Sequence, residues 1–229
     1  MKILASDFDL TLFIEEQPVV INKNIEAISK FMKKGNLFCI VTGRNYSDIK
    51  LLLNQYKVPY HYLICEDGAK LFDHNDFCFF TQNLASGDVE KIVKIASEEN
   101  FSYYLDDGYN VTQNSNDCVK IVLTFADRKQ ALYILNKINE SVDVYAYISR
   151  EHINILHSSV NKQNGLRKIL EKENMLATDL YVIGDSVNDL EMLQSFQGAM
   201  MKHHTDELRG LDKLQYNYLY EYIEELGKN

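Results

Sequence analysis

Asp7 and Asp9 follow the apolar run Ile3-Leu4-Ala5, so two carboxylates leave the end of a strand at a spacing of two residues. Successive residues of an extended chain alternate faces, which lets positions i and i+2 converge on one reacting group. Converging carboxylates repel, so one of them is pushed up in pKa or a cation sits between them. The pair therefore points to a metal and a phosphate. The plainer alternative is a turn after a strand, where Asp is common in its own right.

Two later motifs have the same character. Thr42-Gly43-Arg44 closes the apolar run Leu37 to Val41, and Gly184-Asp185-Ser186-Val187-Asn188-Asp189 closes Leu180 to Ile183. Taken alone, Thr42 reads as a turn hydroxyl, Lys162 as a solvated lysine, and Asp185 and Asp189 as helix caps. Together they fall at the carboxyl edge of a parallel sheet, where open α/β proteins bind ligands. A phosphate ester is an anion, so attack by Asp7 needs a cation between nucleophile and phosphoryl oxygens, and an oxygen-rich site favours Mg²⁺. Asp7, the Asp9 backbone carbonyl, Asp185 and Asp189 are the expected metal ligands. An aspartyl-phosphate on Asp7 divides one hard hydrolysis into two easier steps, with Asp9 as acid and then base. Thr42 and Lys162 complete the expected catalytic set by stabilising the transferred group, and Gly43, Arg44 and Asn188 are expected substrate contacts.

The elements that must carry these groups alternate. Strands at Lys2 to Ala5, Leu37 to Val41 and Tyr62 to Cys65 enclose a helix capped by Asn22 and ended by Gly35, and a second helix through Ile49, Leu52 and Leu53. Residues 70–72 and 77–80 flank a hairpin turn at His74-Asn75-Asp76. After Asn83 the rhythm becomes mixed: a helix capped by Ser86, strands near 101–105 and 119–125, a helix from Asp127, and strands near 142–148 and 153–156. The parallel pattern then returns with a helix through Leu166, Ile169 and Leu170, the strand at Leu180, and a helix from Asn188. In the tail, Tyr216, Tyr218, Tyr220 and Tyr222 recur at period two, but Leu219, Ile223 and Leu226 favour a terminal helix over a base-stacking row. The expected fold is α/β: a Rossmann-like parallel-sheet core over 1–83 and 157–229, interrupted by a smaller α+β insert over 84–156.

A net charge of −9 without a basic block argues against nucleic acid. No apolar run reaches membrane-spanning length, and no cysteines form a close metal-type pair. A cytoplasmic location with no membrane partner is the resulting expectation; oligomeric state leaves no trace in the sequence.

The order of the motifs resembles the haloacid dehalogenase-like hydrolase superfamily, in particular its Cof-type branch with an inserted C2-type cap. Asp7 and Asp9 match its first motif, Thr42 its second, Lys162 its third, and Asp185 with Asp189 its fourth. The resemblance implies Mg²⁺-dependent phosphatase activity on a small phosphorylated metabolite such as a sugar phosphate or phosphoglycolate. The chain departs from the family pattern at three places: Leu10 replaces a common glycine, Asp67 replaces an asparagine before Gly68, and Gln163-Asn164-Gly165 follows the lysine. The cap is also short; its Arg150 and His152, together with Asp67 of the core, are the candidate selectors. A sugar phosphomutase and a silent phospho-ligand-binding protein remain as alternatives. The second acid Asp9 disfavours dehalogenation, and the insert disfavours a phosphorylated signalling module.

Overall fold

The computed structural model describes residues 1–228. The chain begins with β1 (Ile3–Asp7), α1 (Pro18–Lys33), β2 (Leu37–Val41), α2 (Tyr46–Tyr56), β3 (Tyr62–Cys65), β4 (Lys70–Asp73) and β5 (Cys78–Thr81). It then forms α3 (Ser86–Glu98), β6 (Ser102–Asp106), β7 (Val111–Thr112), β8 (Lys120–Thr124), α4 (Arg128–Ser141), β9 (Val144–Ser149) and β10 (His152–His157). The last part holds α5 (Lys162–Glu173), β11 (Leu180–Gly184), α6 (Leu190–Ser195), β12 (Gln197–Met201), β13 (Leu214–Tyr216) and α7 (Leu219–Leu226).

One sheet has the order β13-β12-β11-β1-β2-β3-β4-β5. Its first six strands run parallel, and β4 and β5 add an antiparallel edge. The central strand, β1, is buried at every position and apolar from Ile3 to Ala5, as suits a strand covered on both faces. One cover consists of α1, α2 and α7, whose Ile28, Phe31, Leu53, Leu219 and Ile223 share a core with Leu4, Phe8 and Phe38. The opposite cover is α5 and α6, with Leu166, Ile169 and Met192 against Ile3, Val41 and Val182. Both covers are amphipathic helices burying one stripe, so the sheet edge where the strands end is left open for chemistry.

The middle of the chain builds a second, antiparallel sheet in the order β7-β6-β8-β10-β9. Here α3 and α4 cover one face through Ile92, Ile134 and Ile138 against Ile121, Leu123, Ile153 and Ile155. The other face turns toward the carboxyl ends of the large sheet. The two bodies meet through polar contacts: the Tyr46 amide donates to the Gly108 carbonyl at 2.8 Å, and the Asn45 side chain donates to Asp106 at 2.9 Å.

The α/β core with an α+β insert is the expected architecture, but several local expectations differ from what forms. Helix α1 starts at Pro18 rather than at an Asn22 cap, because proline at the first helical position has no amide to leave unpaired. Asn22 lies inside that helix. Ser86 is the first residue of α3 and its hydroxyl makes no cap; Ala85 precedes it. The helix expected from Asn188 begins as a single turn over Val187–Asp189 and becomes α6 at Leu190. The tail divides: Tyr216 ends β13, while Tyr220 and Tyr222 lie in α7, so the tyrosine row is not one surface. No helix among the described residues is long and apolar enough to cross a membrane.

Candidate active site

Three elements bring the acidic residues together. Asp7 is the last residue of β1, Asp185 follows β11 directly, and Asp189 closes the turn after it. Strands β1 and β11 are neighbours paired in parallel, so their ends lie side by side. One carboxylate oxygen from each of Asp7, Asp185 and Asp189 lies within 4.8 Å of the others, and all three residues are buried. Lys162, only 1% exposed, donates to Asp7 Oδ1 and to Asp189 Oδ1, both at 2.5 Å. It is the first residue of α5, a helix start set by the Asn161 side chain accepting the Asn164 amide at 2.8 Å.

The cluster carries more negative charge than its lysine balances. Burial pushes the Asp7 carboxyl well up, Lys162 pulls it down, and the Asp189 and Asp185 carboxylates push it up again. Asp185 is raised to about 6, first by burial and then by Asp189, against the hydrogen bond from the Thr11 hydroxyl at 2.8 Å. Burial alone would lower the Lys162 ammonium, but Asp189 and Asp7 outweigh it and hold the group charged. Three buried carboxylates with a single cation form an all-oxygen donor set suited to a hard divalent ion. Asp189 also receives the Asp185 and Ser186 amides at 2.9 and 3.0 Å, which fixes the turn that presents it.

Asp9 stands apart from this cluster. Its carboxylate, 41% exposed, is gripped by both arms of the Arg44 fork: Nε donates to Oδ2 at 2.8 Å and Nη2 to Oδ1 at 2.7 Å. The expected proton carrier and the expected substrate cation thus face each other. The Thr42 hydroxyl accepts the Arg44 amide at 3.1 Å, which leaves its own proton free to donate. At Gly43 an added Cβ would lie 3.2 Å from both Asp67 carboxylate oxygens, so the absence of a side chain permits this approach. Asn188 donates to Asp67 at 2.8 Å and accepts from the Ser186 hydroxyl at 2.6 Å.

Leu10 has φ 62, in the left-handed region that glycine enters without steric cost. Its amide donates to Phe13 O at 2.8 Å and its carbonyl contacts His203 Nε2 at 2.9 Å, so the turn forms in spite of the side chain, which is 39% exposed.

Above these residues lies a cleft of about 730 Å³ between the core and the insert, lined by Asp7, Asp9, Arg44 and Asp185 below and by Lys120, Tyr147 and Asn154 above. Lys120 forms an ion pair with Glu66 and donates to the Gly43 carbonyl at 2.6 Å. The Tyr147 hydroxyl donates to Asp67 at 2.6 Å. Glu66, Thr11, Lys120, Tyr147 and Asn154 have no role in the sequence motifs. For Lys120 a signal was present, a lysine opening the otherwise apolar strand Ile121-Val122-Leu123.

The family model for haloacid dehalogenase-like hydrolases matches residues 4–118 and 106–215. The chain belongs to that family, and it is an enzyme of the phosphoric monoester hydrolase class. A Bacillus subtilis protein, 5-amino-6-(5-phospho-D-ribitylamino)uracil phosphatase YcsE, is 24% identical, the match covering 85% of this chain and 80% of that protein. The solved structure of BT1666, a phosphatase of the superfamily from Bacteroides thetaiotaomicron, superposes with a TM-score of 0.87 at 19% identity, covering 99% and 95% of the two chains. The subclass IIB sugar phosphatase BT4131 superposes at 0.83 with 16% identity, covering 99% of each.

Two substitutions test the site as built. Lys162→Met leaves Asp7 and Asp189 without their shared cation in a dry site, and should cost about 3–5 kcal/mol in denaturant unfolding with a chelator present; an unchanged midpoint would show that the lysine balances nothing. Leu10→Gly should raise stability by up to about 1 kcal/mol by relieving the left-handed backbone. A lower unfolding midpoint would mean that the leucine side chain contributes more than its backbone costs.

Proposed function

We propose that the protein is a Mg²⁺-dependent phosphatase that hydrolyses a small phosphorylated metabolite, a sugar phosphate or a phosphoglycolate-like ester, through an aspartyl-phosphate on Asp7. The observation that carries this reading is the buried trio Asp7, Asp185 and Asp189 around Lys162. The naming of the Bacillus subtilis relative as a phosphatase of a phosphoribityl compound supports the substrate class. In this reading residues 1–83 and 157–229 are the catalytic core, and 84–156 are a C2-type cap that closes the cleft.

Asp7, Asp185 and Asp189, with the Asp9 carbonyl, are the groups that would hold the ion. Bound there, it would offset the carboxylates and draw electron density from the phosphoryl oxygens. The Asp7 carboxylate attacks phosphorus while the ester oxygen departs. The Thr42 hydroxyl, the Gly43 amide and the Lys162 ammonium stabilise the charge spread over the transferred group. Asp9 protonates the departing oxygen and then takes a proton from the water that hydrolyses the aspartyl-phosphate. An incoming phosphate that draws Arg44 to itself would free both Asp9 carboxylate oxygens from their fork contact. Asn188 lines the cleft, from which it would reach substrate, and donates to the buried Asp67 behind it.

All four cysteines are free, which suits a reducing compartment, and a cytoplasmic location belongs to the proposal. No nucleic-acid partner is part of it.

Purified protein assayed for released phosphate against sugar phosphates, phosphoglycolate and nucleotides should turn over at least one of them with Mg²⁺ and none with a chelator. Asp7→Asn should abolish that turnover while the fold, read by circular dichroism, is retained. Near-normal rates in the variant would remove Asp7 as nucleophile, and transfer of the phosphate back to sugar without release would make the enzyme a mutase.

A further inference from the structure

The cap sheet presents a row of four side chains to the cleft. Strand pairing sets Tyr104 beside Val122, Val122 beside Asn154, and Asn154 beside Tyr147. On β10 the flanking Ile153 and Ile155 are buried under α3 and α4, so the alternation of the strand turns Asn154 the other way, into the cavity it shares with Asp7 and Asp185.

Asn154 is 8% exposed, and its amide makes no hydrogen bond among the described residues. An amide that faces the cleft with no protein partner is free to meet a ligand there, whereas an aliphatic side chain such as its neighbour Val122 would offer no hydrogen bond. The polar groups around it are already engaged. Lys120, on the adjacent strand, is held by Glu66 and the Gly43 carbonyl, and the Tyr147 hydroxyl donates to Asp67. Asp106 accepts from Asn45 and from the Gly108 amide at 2.7 Å. The roof above the nucleophile therefore offers one uncommitted buried group, and that group is neutral, with one acceptor and two donor positions.

We propose that Asn154 selects the leaving group, its amide hydrogen bonding to an uncharged hydroxyl or carbonyl of the alcohol released from phosphate. This rests on the phosphatase reading of the site below. A charged leaving group would call for a counter-ion, and Lys120, on the strand beside Asn154, is already neutralised by Glu66. Tyr104 and Tyr147 line the same cleft and supply aromatic surface suited to a carbon skeleton between polar groups.

The test compares kcat/KM of the wild type, Asn154→Leu and Asn154→Ala, with Mg²⁺, on p-nitrophenyl phosphate, a series of sugar and polyol phosphates, and phosphoglycolate. The leucine variant keeps the volume, and the alanine variant removes the amide without adding bulk. Both should lose roughly tenfold on the best hydroxyl-bearing substrate, as expected when a substrate hydroxyl loses its partner, and stay within about twofold on p-nitrophenyl phosphate, which brings no hydroxyl. An equal loss on both substrates, or a loss on neither, overturns the assignment. So does a wild type that prefers phosphoglycolate, whose leaving group carries a charge, to every polyol phosphate. Absence of turnover on the whole panel, p-nitrophenyl phosphate included, sinks the phosphatase reading itself and the selection with it.

Discussion

The ammonium of Lys162 is the contact on which the rest of the site depends. A buried charge has no water to stabilise it, so its partners must be within hydrogen-bonding distance or the fold loses several kcal/mol. Here the partners come from the end of β1 and from the turn after β11, and the lysine from the first turn of α5. Three segments distant in sequence are thereby held in register. The tolerance is small: at Gly184, the last residue of β11, an added Cβ would lie 2.4 Å from Asp189 Cγ. No side chain fits there while Asp189 points at the lysine.

A second layer of buried charge ties the insert to this centre. The turn after β3 holds Glu66 and Asp67 at φ 48 and 53, two successive left-handed residues without glycine. Such a turn persists where its surroundings over-determine it. The Glu66 amide donates to Arg44 O and the Asp67 amide to Thr42 O, both at 3.0 Å, while their carboxylates meet Lys120 and Tyr147 of the insert. Burial pushes Glu66 up to about 8, with Lys120 acting against it and Asp106 adding to it. Moving the insert therefore means exposing or uncoupling charges that sit directly beside Gly43, so the position of the insert and the shape of the cleft are one variable.

Much of the site was legible because its residues sit at strand ends, where period-two spacing and apolar runs leave a strong pattern. Asp7, Lys162, Asp185 and Asp189 meet as their spacing suggested. The bidentate grip of Arg44 on Asp9 left no such trace, since it joins two strand ends through side-chain reach rather than periodicity. The strands β12 and β13 were also hidden: Gln197-Gly198-Ala199-Met200-Met201 carries a glycine and few β-branched residues, and only neighbours in the sheet make it extended. Leu10 was visible as an oddity, but its meaning required the backbone angle.

The sequence by itself determined the class of fold, the order of its motifs and the identity of the acids and lysine, because burial and alternation are local properties that each segment carries in its own composition. Only the tertiary structure decided which charges neutralise which. That choice depends on distances between segments 80 or more residues apart: Lys162 with Asp7, Tyr147 above Asp67, and Asn154 left without a partner across the cleft from Asp7. Electrostatic and hydrogen-bond energies change over a few ångströms, a scale on which sequence spacing carries no information.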